Sequence, residues 1–245
     1  MDFHKKLVLV TGGSDGIGLA TAKQFAAAGA KVYVTARRQD RLAAAVAEIG
    51  ANAVGVQGDV AKLADLDRLY DQIRRDDGKL DVLFANAGIS ESAPLGAIDE
   101  DQFDRVFGVN VKGLLFSVQK ALPLMTTGGA IVLNGSGAGS KGFAALSVYS
   151  ATKAAIRSFA RTWTTDLKAR GIRVNVVAPG MIDTPAMRDY IASNPGIDVA
   201  IKQMIPLTRL GADDEVAKAV VFLASSDSQY LAGVELAVDG GFLAV

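Results

Sequence analysis

Short apolar runs rich in valine, leucine and isoleucine alternate with amphipathic stretches from one end of the 245 residues to the other. Continuously apolar runs mark strands buried on both faces, and parallel strands have to be joined by crossovers long enough to hold a helix. This alternation restricts the chain to an α/β layer structure. It predicts strands at 7–11, 31–36, 53–57, 82–85, 130–133, 173–178 and 235–238, and helices at 16–28, 41–49, 63–75, 100–125, 148–170 and 213–225. Gly29 and Gly50 follow two of these helices, where a glycine commonly takes the left-handed turn that ends one. No proline-rich or low-complexity linker divides the chain, so residues 1–245 are expected to form one domain. The one long irregular stretch, 181–210, carries Pro185, Pro195 and Pro206 among apolar side chains; stretches of that length usually serve a site, often as a lid.

Composition narrows the chemistry. Lys+Arg and Asp+Glu both number 26, which leaves no basic surplus to neutralise a phosphate backbone, so nucleic acid is not an expected partner. The chain has no cysteine, which removes disulfides, thiolate metal sites and a cysteine nucleophile. Its single histidine, His4, lies in the N-terminal lead-in, where chains are usually poorly ordered, so a Ser-His-Asp hydrolase is not expected. Nothing in the sequence calls for a metal. No apolar run approaches the roughly 20 residues of a membrane-crossing helix and no signal-peptide pattern is present, so a cytoplasmic location without membrane contact is expected.

Directly after the first strand comes Thr11-Gly12-Gly13-Ser14-Asp15-Gly16-Ile17-Gly18, opening a helix. Glycines here let backbone N–H groups approach a pyrophosphate, and the helix N-terminus favours negative charge. At the end of the second strand, where an adenine ribose would lie, a carboxylate would read the 2′-hydroxyl of NAD, but this chain has Ala36 followed by Arg37 and Arg38. Two guanidiniums suit a 2′-phosphate, which points to NADP(H), with NAD(H) possible. Asp15 opposes that choice, because its carboxylate would repel the phosphate, and Asp40 lies too far into the next helix to hold the ribose.

The reacting end is carried by Ser136, Tyr149 and Lys153. Positions four apart share a helix face, so the lysine ammonium can sit beside the phenol and favour its ionised form. An ordinary phenol, with a pKa of about 10, is otherwise a poor base near neutrality.

With these features in order, and with Asp59-Val60, Asn86-Ala87-Gly88, Asn110, Pro179-Gly180 and Asp239-Gly240-Gly241 at matching places, the chain resembles the short-chain dehydrogenase/reductase family, in its branch of about 250 residues, over nearly its whole length. The resemblance implies a single-domain Rossmann fold, a doubly wound seven-stranded parallel sheet with helices on both faces. It implies that Gly12, Ser14, Asp15, Gly16, Ile17 and Gly18 cradle the cofactor phosphates, and that Asp59 and Val60 hold the adenine. Asn86, Ala87 and Gly88 would pass close to the cofactor ribose. Pro179, Gly180, Ile182 and Thr184 would lie along the nicotinamide, with the Ile182 backbone and the Thr184 hydroxyl fixing its carboxamide. Catalysis would fall to Ser136, Tyr149, Lys153 and Asn110. In that scheme Ser136 bonds the substrate oxygen, Tyr149 exchanges its proton, and Lys153 holds the nicotinamide ribose while tuning Tyr149. Asn110 bends its helix to hold a water that connects Lys153 to solvent.

The expected substrate is a small alcohol or carbonyl compound. Candidate pocket walls are Ser90, Glu91, Phe143 and Leu146, with Met181, Met187 and Tyr190 from the lid. A carrier-linked 3-oxoacyl reductase shares the same motifs. Residues 124–129 nevertheless lack the positive charge that would dock an acidic carrier, and only Arg170 stands at a plausible second docking position. A non-catalytic nucleotide sensor on the same fold is disfavoured, because all four catalytic positions are filled. Ala121, Ala155, Ala160 and Trp163 suggest apolar helix surface beyond what contact with the sheet needs. The resemblance then implies pairing of the two long helices with their copies, and a homotetramer completed by residues 236–245.

Overall fold

A computed structural model describes residues 1–245. Its strands are β1 (Leu7–Thr11), β2 (Lys31–Ala36), β3 (Ala53–Gln57), β4 (Leu80–Ala85), β5 (Met125–Asn134), β6 (Arg173–Pro179) and β7 (Glu235–Val238). All neighbours are parallel, in the order β3-β2-β1-β4-β5-β6-β7. The chain enters at the centre, winds outward to β3, crosses back to β4 and winds outward again to β7. The order therefore reverses between β1 and β4, and the crossovers leave in opposite directions there, opening a crevice at the C-terminal strand ends.

Both faces of the sheet are covered. Helices α1 (Gly16–Ala27), α2 (Gln39–Ile49) and α9 (Asp213–Ala224) pack on one face through Phe25, Leu42, Val216 and Val220. Helices α3 (Leu63–Asp76), α5 (Leu114–Ala121) and α6 (Ser147–Asp166) pack on the other through Leu66, Ile73, Val118 and Ile156. Strand residues such as Val8, Leu9 and Val10 are fully buried, which is why the strands read as unbroken apolar runs. No helix is long and apolar enough to cross a membrane.

The helix expected over 100–125 is divided. Helix α4 (Glu100–Phe107) passes into a π-helical turn, Gly108–Gly113, before α5, and the chain leaves the helix after Ala121. A π turn holds one extra residue, and Asn110 lies buried within it. Strand β5 starts at Met125 rather than 130. Met125 pairs with Leu80 and Ala130 with Val82, so the residues between loop out where Gly128 takes φ +77°. The helix expected over 148–170 is α6, followed by a short 3₁₀ turn at Lys168–Arg170.

The stretch 181–210 is not irregular throughout. It contains α7 (Pro185–Ser193) and α8 (Ile197–Met204). Pro185 occupies the first turn of α7, where its missing N–H costs nothing, and the Thr184 hydroxyl accepts a bond from the Met187 amide at 3.3 Å. Gly196 at φ +85° turns the chain into α8. Ala121 and Ala160 are wholly buried against the sheet, so neither contributes the outward apolar surface that the sequence suggested. Trp163 stacks on Phe159 with 4.7 Å between ring centroids, and both rings lean on the same core.

Gly113 closes the π turn against Val60. A Cβ there would lie 2.9 Å from Val60 Cγ2 and 3.1 Å from its carbonyl oxygen, inside contact distance. Gly113→Ala is expected to lower the unfolding free energy by about 1–3 kcal/mol, the usual cost of overpacking. Urea denaturation measures it, and an unchanged midpoint would show that the turn relaxes freely.

Candidate active site

A cleft of about 400 Å³ opens at the crevice between β1 and β4. Its floor is the glycine loop. Gly12 takes φ +65°, and a Cβ at Gly18 would lie 2.1 Å from the Gly12 carbonyl oxygen, so only glycine lets the turn close this tightly. At the start of α1, Asp15 makes no side-chain cap and the first turn carries no acid, which leaves its N–H groups available to an anion. The cleft brings together Gly12, Ser14, Asp15, Gly16, Ile17, Gly18, Arg37, Arg38, Asp59, Val60, Asn86, Ala87, Gly88, Ser90, Tyr149, Lys153 and Thr184, all anticipated from sequence. Thr35, Ile89, Val109 and Asn134 line it as well and were not anticipated.

At one end the two arginines follow β2. Arg38 lies 3.8 Å from Asp15, both groups exposed. The expected repulsion from Asp15 is thus met by a neighbouring cation, while Arg37 has no ion-pair partner. Asp59 accepts a bond from the Ala61 amide on Oδ1 at 3.0 Å, which leaves Oδ2 for a ligand.

The middle is held by Asn86. Its Nδ2 donates to the carbonyls of Thr11 and Gly12, both at 3.0 Å, and its Oδ1 accepts from Asn134 Nδ2 at 2.9 Å. The Thr11 hydroxyl accepts from the amides of Asn86 and Ala87. Two buried oxygens facing this region, Thr35 Oγ1 and Asn134 Oδ1, have no partner within the protein. Orphaned acceptors in a cleft are what a polar ligand would satisfy.

At the other end α6 carries Tyr149 and Lys153 on one face. Lys153 Nζ is 5.5 Å from the tyrosine ring centroid and donates to the Asn134 carbonyl at 2.8 Å. Burial drives the Tyr149 phenol above its ordinary range, and the Ser136 hydroxyl opposes that in part. Burial also brings the Lys153 ammonium down to about 8. Without a ligand, then, desolvation outweighs any benefit of the lysine to the tyrosinate, contrary to the simple expectation from spacing.

Asn110 sits in the π turn and is buried. Its Oδ1 accepts from the Ile89 amide and its Nδ2 donates to the Ile89 carbonyl, both at 2.8 Å, with a further bond to Thr152 Oγ1 at 3.2 Å. Thr152 in turn donates to the Tyr149 carbonyl at 2.6 Å. The side chain therefore clasps the end of β4 to α6; the expected bend is present as the π turn. Asn134 and Thr152 escaped notice because isolated polar residues on a strand end and mid-helix carry no motif.

Pro179, Gly180 and Ile182 do not line the cleft; Ile182 is buried, and with Met181 it faces a separate hollow bounded by Pro206, Leu207 and residues 237–241. Glu91 is bound by Arg105 through two hydrogen bonds, of 3.2 and 2.9 Å, and that pairing lowers its pKa. Phe143 stacks on Phe242, Leu146 precedes α6 and Tyr190 is half-exposed.

A family model described as enoyl-(acyl carrier protein) reductase matches residues 12–243. An oxidoreductase of Sarocladium schorii is 47% identical over 238 residues, covering 96% of this chain and 95% of its own. The 3-oxoacyl-[acyl-carrier-protein] reductase of Escherichia coli is 35% identical over 248 residues, 100% of both chains. Among solved structures, a blue fluorescent protein from a metagenomic library in complex with NADPH superposes with a TM-score of 0.92 at 35% identity, covering 99% of each chain.

The buried ammonium fixes a pH dependence. Lys153 titrates near 8 when folded against 10.5 as its ordinary value, so burying its charge destabilises the fold fully below about pH 8, and the penalty fades as pH rises to 10.5. Lys153→Met removes that penalty. Its stability relative to the parent is expected to be greatest below pH 8 and to decline towards pH 10.5, read from paired urea curves. A difference that stays flat across this range would mean that the ammonium is solvated.

Proposed function

The chain belongs to the short-chain dehydrogenase/reductase family, oxidoreductases acting on CH–OH groups, and from that premise we propose that it moves hydride between NADP(H) and a secondary alcohol or ketone. One observation carries this reading: a single cleft has two arginines at one end, Arg37 free of any ion pair, and a buried tyrosine and lysine, with Ser136 beside the tyrosine, at the other. The glycine loop, the free N-terminus of α1 and the orphaned oxygens of Thr35 and Asn134 fit a dinucleotide lying between them. Residues 1–245 act as one nucleotide-binding domain in this reading.

A bound nicotinamide would supply or accept the hydride. As a carbonyl is reduced, negative charge grows on its oxygen, and donors aimed there lower the barrier. Tyr149 transfers its phenolic proton to that oxygen while the Ser136 hydroxyl bonds it. Lys153, held by the Asn134 carbonyl, stabilises the tyrosinate left behind when it is protonated. Asn110 and Thr152 fix the position of α6 and so the direction of the phenol. No metal enters this scheme.

At the adenine end, the Asp15–Arg38 pair is exposed, and such pairs contribute little, so a phosphate of nearly two negative charges can compete for Arg38. Asp15 then masks the NADP(H) preference without reversing it. The carrier-linked 3-oxoacyl reaction is the second reading, supported by the Escherichia coli relative. Arg170 speaks against it, because its guanidinium is committed to the carbonyls of Leu122, at 2.9 Å, and Met125. The half-exposed Phe103, stacked on Phe107 in α4, supports pairing of copies along the α4 and α6 face, the first step to a homotetramer in the cytoplasm.

Consumption of NADPH and NADH with ketones, diketones, sugars and acyl thioesters tests the reaction. Turnover should favour NADPH and fall at least about a hundredfold in Tyr149→Phe, within the range that a positioned acid supplies. Arg37→Ala should weaken NADPH far more than NADH; equal losses would show that Arg37 does not read the phosphate. Light scattering on the eluted protein checks assembly, and a monomeric mass would overturn the tetramer.

A further inference from the structure

The loop between Ser136 and α6 is held, within the chain, by the segment that follows β7. After β7, residues 239–245 fold into a compact turn. Asp239 accepts the Gly241 amide on Oδ1 at 2.9 Å and the Leu243 amide on Oδ2 at 2.8 Å, and the Ala244 amide bonds the Gly241 carbonyl at 3.0 Å. This turn pushes Phe242 inward, where only 4% of it remains exposed. Phe143 stacks on it with 5.6 Å between centroids and an interplanar angle of 17°. The Lys141 ammonium lies 4.2 Å from the centre of the same ring and donates to the Phe242 carbonyl at 3.2 Å. Leu243 faces Gly137, whose Cβ, if present, would touch the leucine at 3.5 Å.

The gripped loop is under strain at its far end. Ala145 takes φ +62°, a left-handed conformation that alanine adopts only where its surroundings impose it. Its carbonyl accepts the Ala93 amide at 2.9 Å, tying this loop to the one after β4. Four residues later comes Tyr149, and at the loop's near end stands Ser136. Ser140 is fixed as well, by Arg157 Nη1 at 2.7 Å and Glu235 at 3.3 Å. The two groups that must converge on one substrate oxygen are therefore separated by a loop that does not rest in a relaxed conformation.

We propose that residues 239–245 act as a strap, with Phe242 as a positioning residue that holds the 137–146 loop against the strain at Ala145 and so sets the spacing between Ser136 and Tyr149 and the substrate-side wall. The inference rests on the reductase reading for its effect on turnover, though not for its effect on the loop. No residue of the strap lines the dinucleotide cleft, so it is expected to act on the carbonyl compound and leave cofactor binding alone.

The test compares the parent with Phe242→Ala, Phe242→Tyr and Lys141→Met. Lys141 is exposed, so its variant folds even if the alanine variant does not. Amide hydrogen exchange over 137–146 should accelerate in Phe242→Ala and Lys141→Met, with exchange over 12–18 unchanged. The NADPH dissociation constant should stay within about twofold, while kcat with the best ketone falls about tenfold or more, as expected for misplaced reacting groups. Phe242→Tyr should restore both. Unchanged loop exchange in both Phe242→Ala and Lys141→Met overturns the strap, whether or not the parent turns over. So does parental kcat in a variant whose loop has loosened. A parent that is silent with every carbonyl, yet shows the expected exchange pattern, overturns the reductase reading and leaves the strap standing.

Discussion

The site depends on one amide side chain. Asn86, at the end of β4, bonds the Thr11 and Gly12 carbonyls of β1 and its loop, and receives the Asn134 amide from the end of β5. Three adjacent strand ends are thereby locked in one register at the point where the sheet order reverses. Each such bond contributes about 0.5–1.5 kcal/mol, but leaving its buried partners unpaired costs more, so the arrangement is closer to all-or-none than its sum suggests. Much of the cleft hangs from these three ends. The glycine loop continues from β1, Ile89 and its clasp to Asn110 continue from β4, and the Asn134 carbonyl holds Lys153.

From that anchor a second chain of bonds reaches the backbone of Tyr149. Ile89 is clasped by Asn110, Asn110 bonds Thr152, and Thr152 bonds the Tyr149 carbonyl. Asn110 makes these bonds from within the π turn. Gly113 and Gly88 serve the same end by omission: a Cβ on the first would strike Val60, and on the second would press Asn110 Oδ1 at 3.2 Å.

Strands and the glycine-loop cleft are legible in the sequence because both rest on local pattern. Apolar runs locate strands, and a glycine cluster between strand and helix locates a phosphate turn. What was not legible depends on distant partners. The π turn needs Ile89 to receive Asn110, and nothing within residues 100–125 shows that partner. Helices α7 and α8 were hidden by prolines that read as breakers, although Pro185 begins a helix. Phe143 lies at a plausible distance in sequence from Ser136 for a pocket wall, and only the fold reveals that Phe242 occupies its ring face. Ala121 and Ala160 read as surplus apolar surface because sequence does not tell which side of a long helix meets the sheet.

The opposite pKa displacements of Tyr149 and Lys153 have a common origin and a chemical consequence. Both groups are desolvated, and desolvation favours the neutral form of each, raising the phenol and lowering the ammonium to about 8. The proton consequently stays on Tyr149 in the unliganded site throughout the neutral range, which is the state needed to donate to a carbonyl oxygen. The reverse reaction needs the tyrosinate, and burial opposes it unless Lys153 remains charged beside it. In the unliganded site Lys153 retains its proton below about pH 8, so the pair can support the anion once a proton has left. The same burial that makes Tyr149 a reluctant acid in isolation strengthens its attraction to the lysine when charge develops, because no water intervenes to screen it.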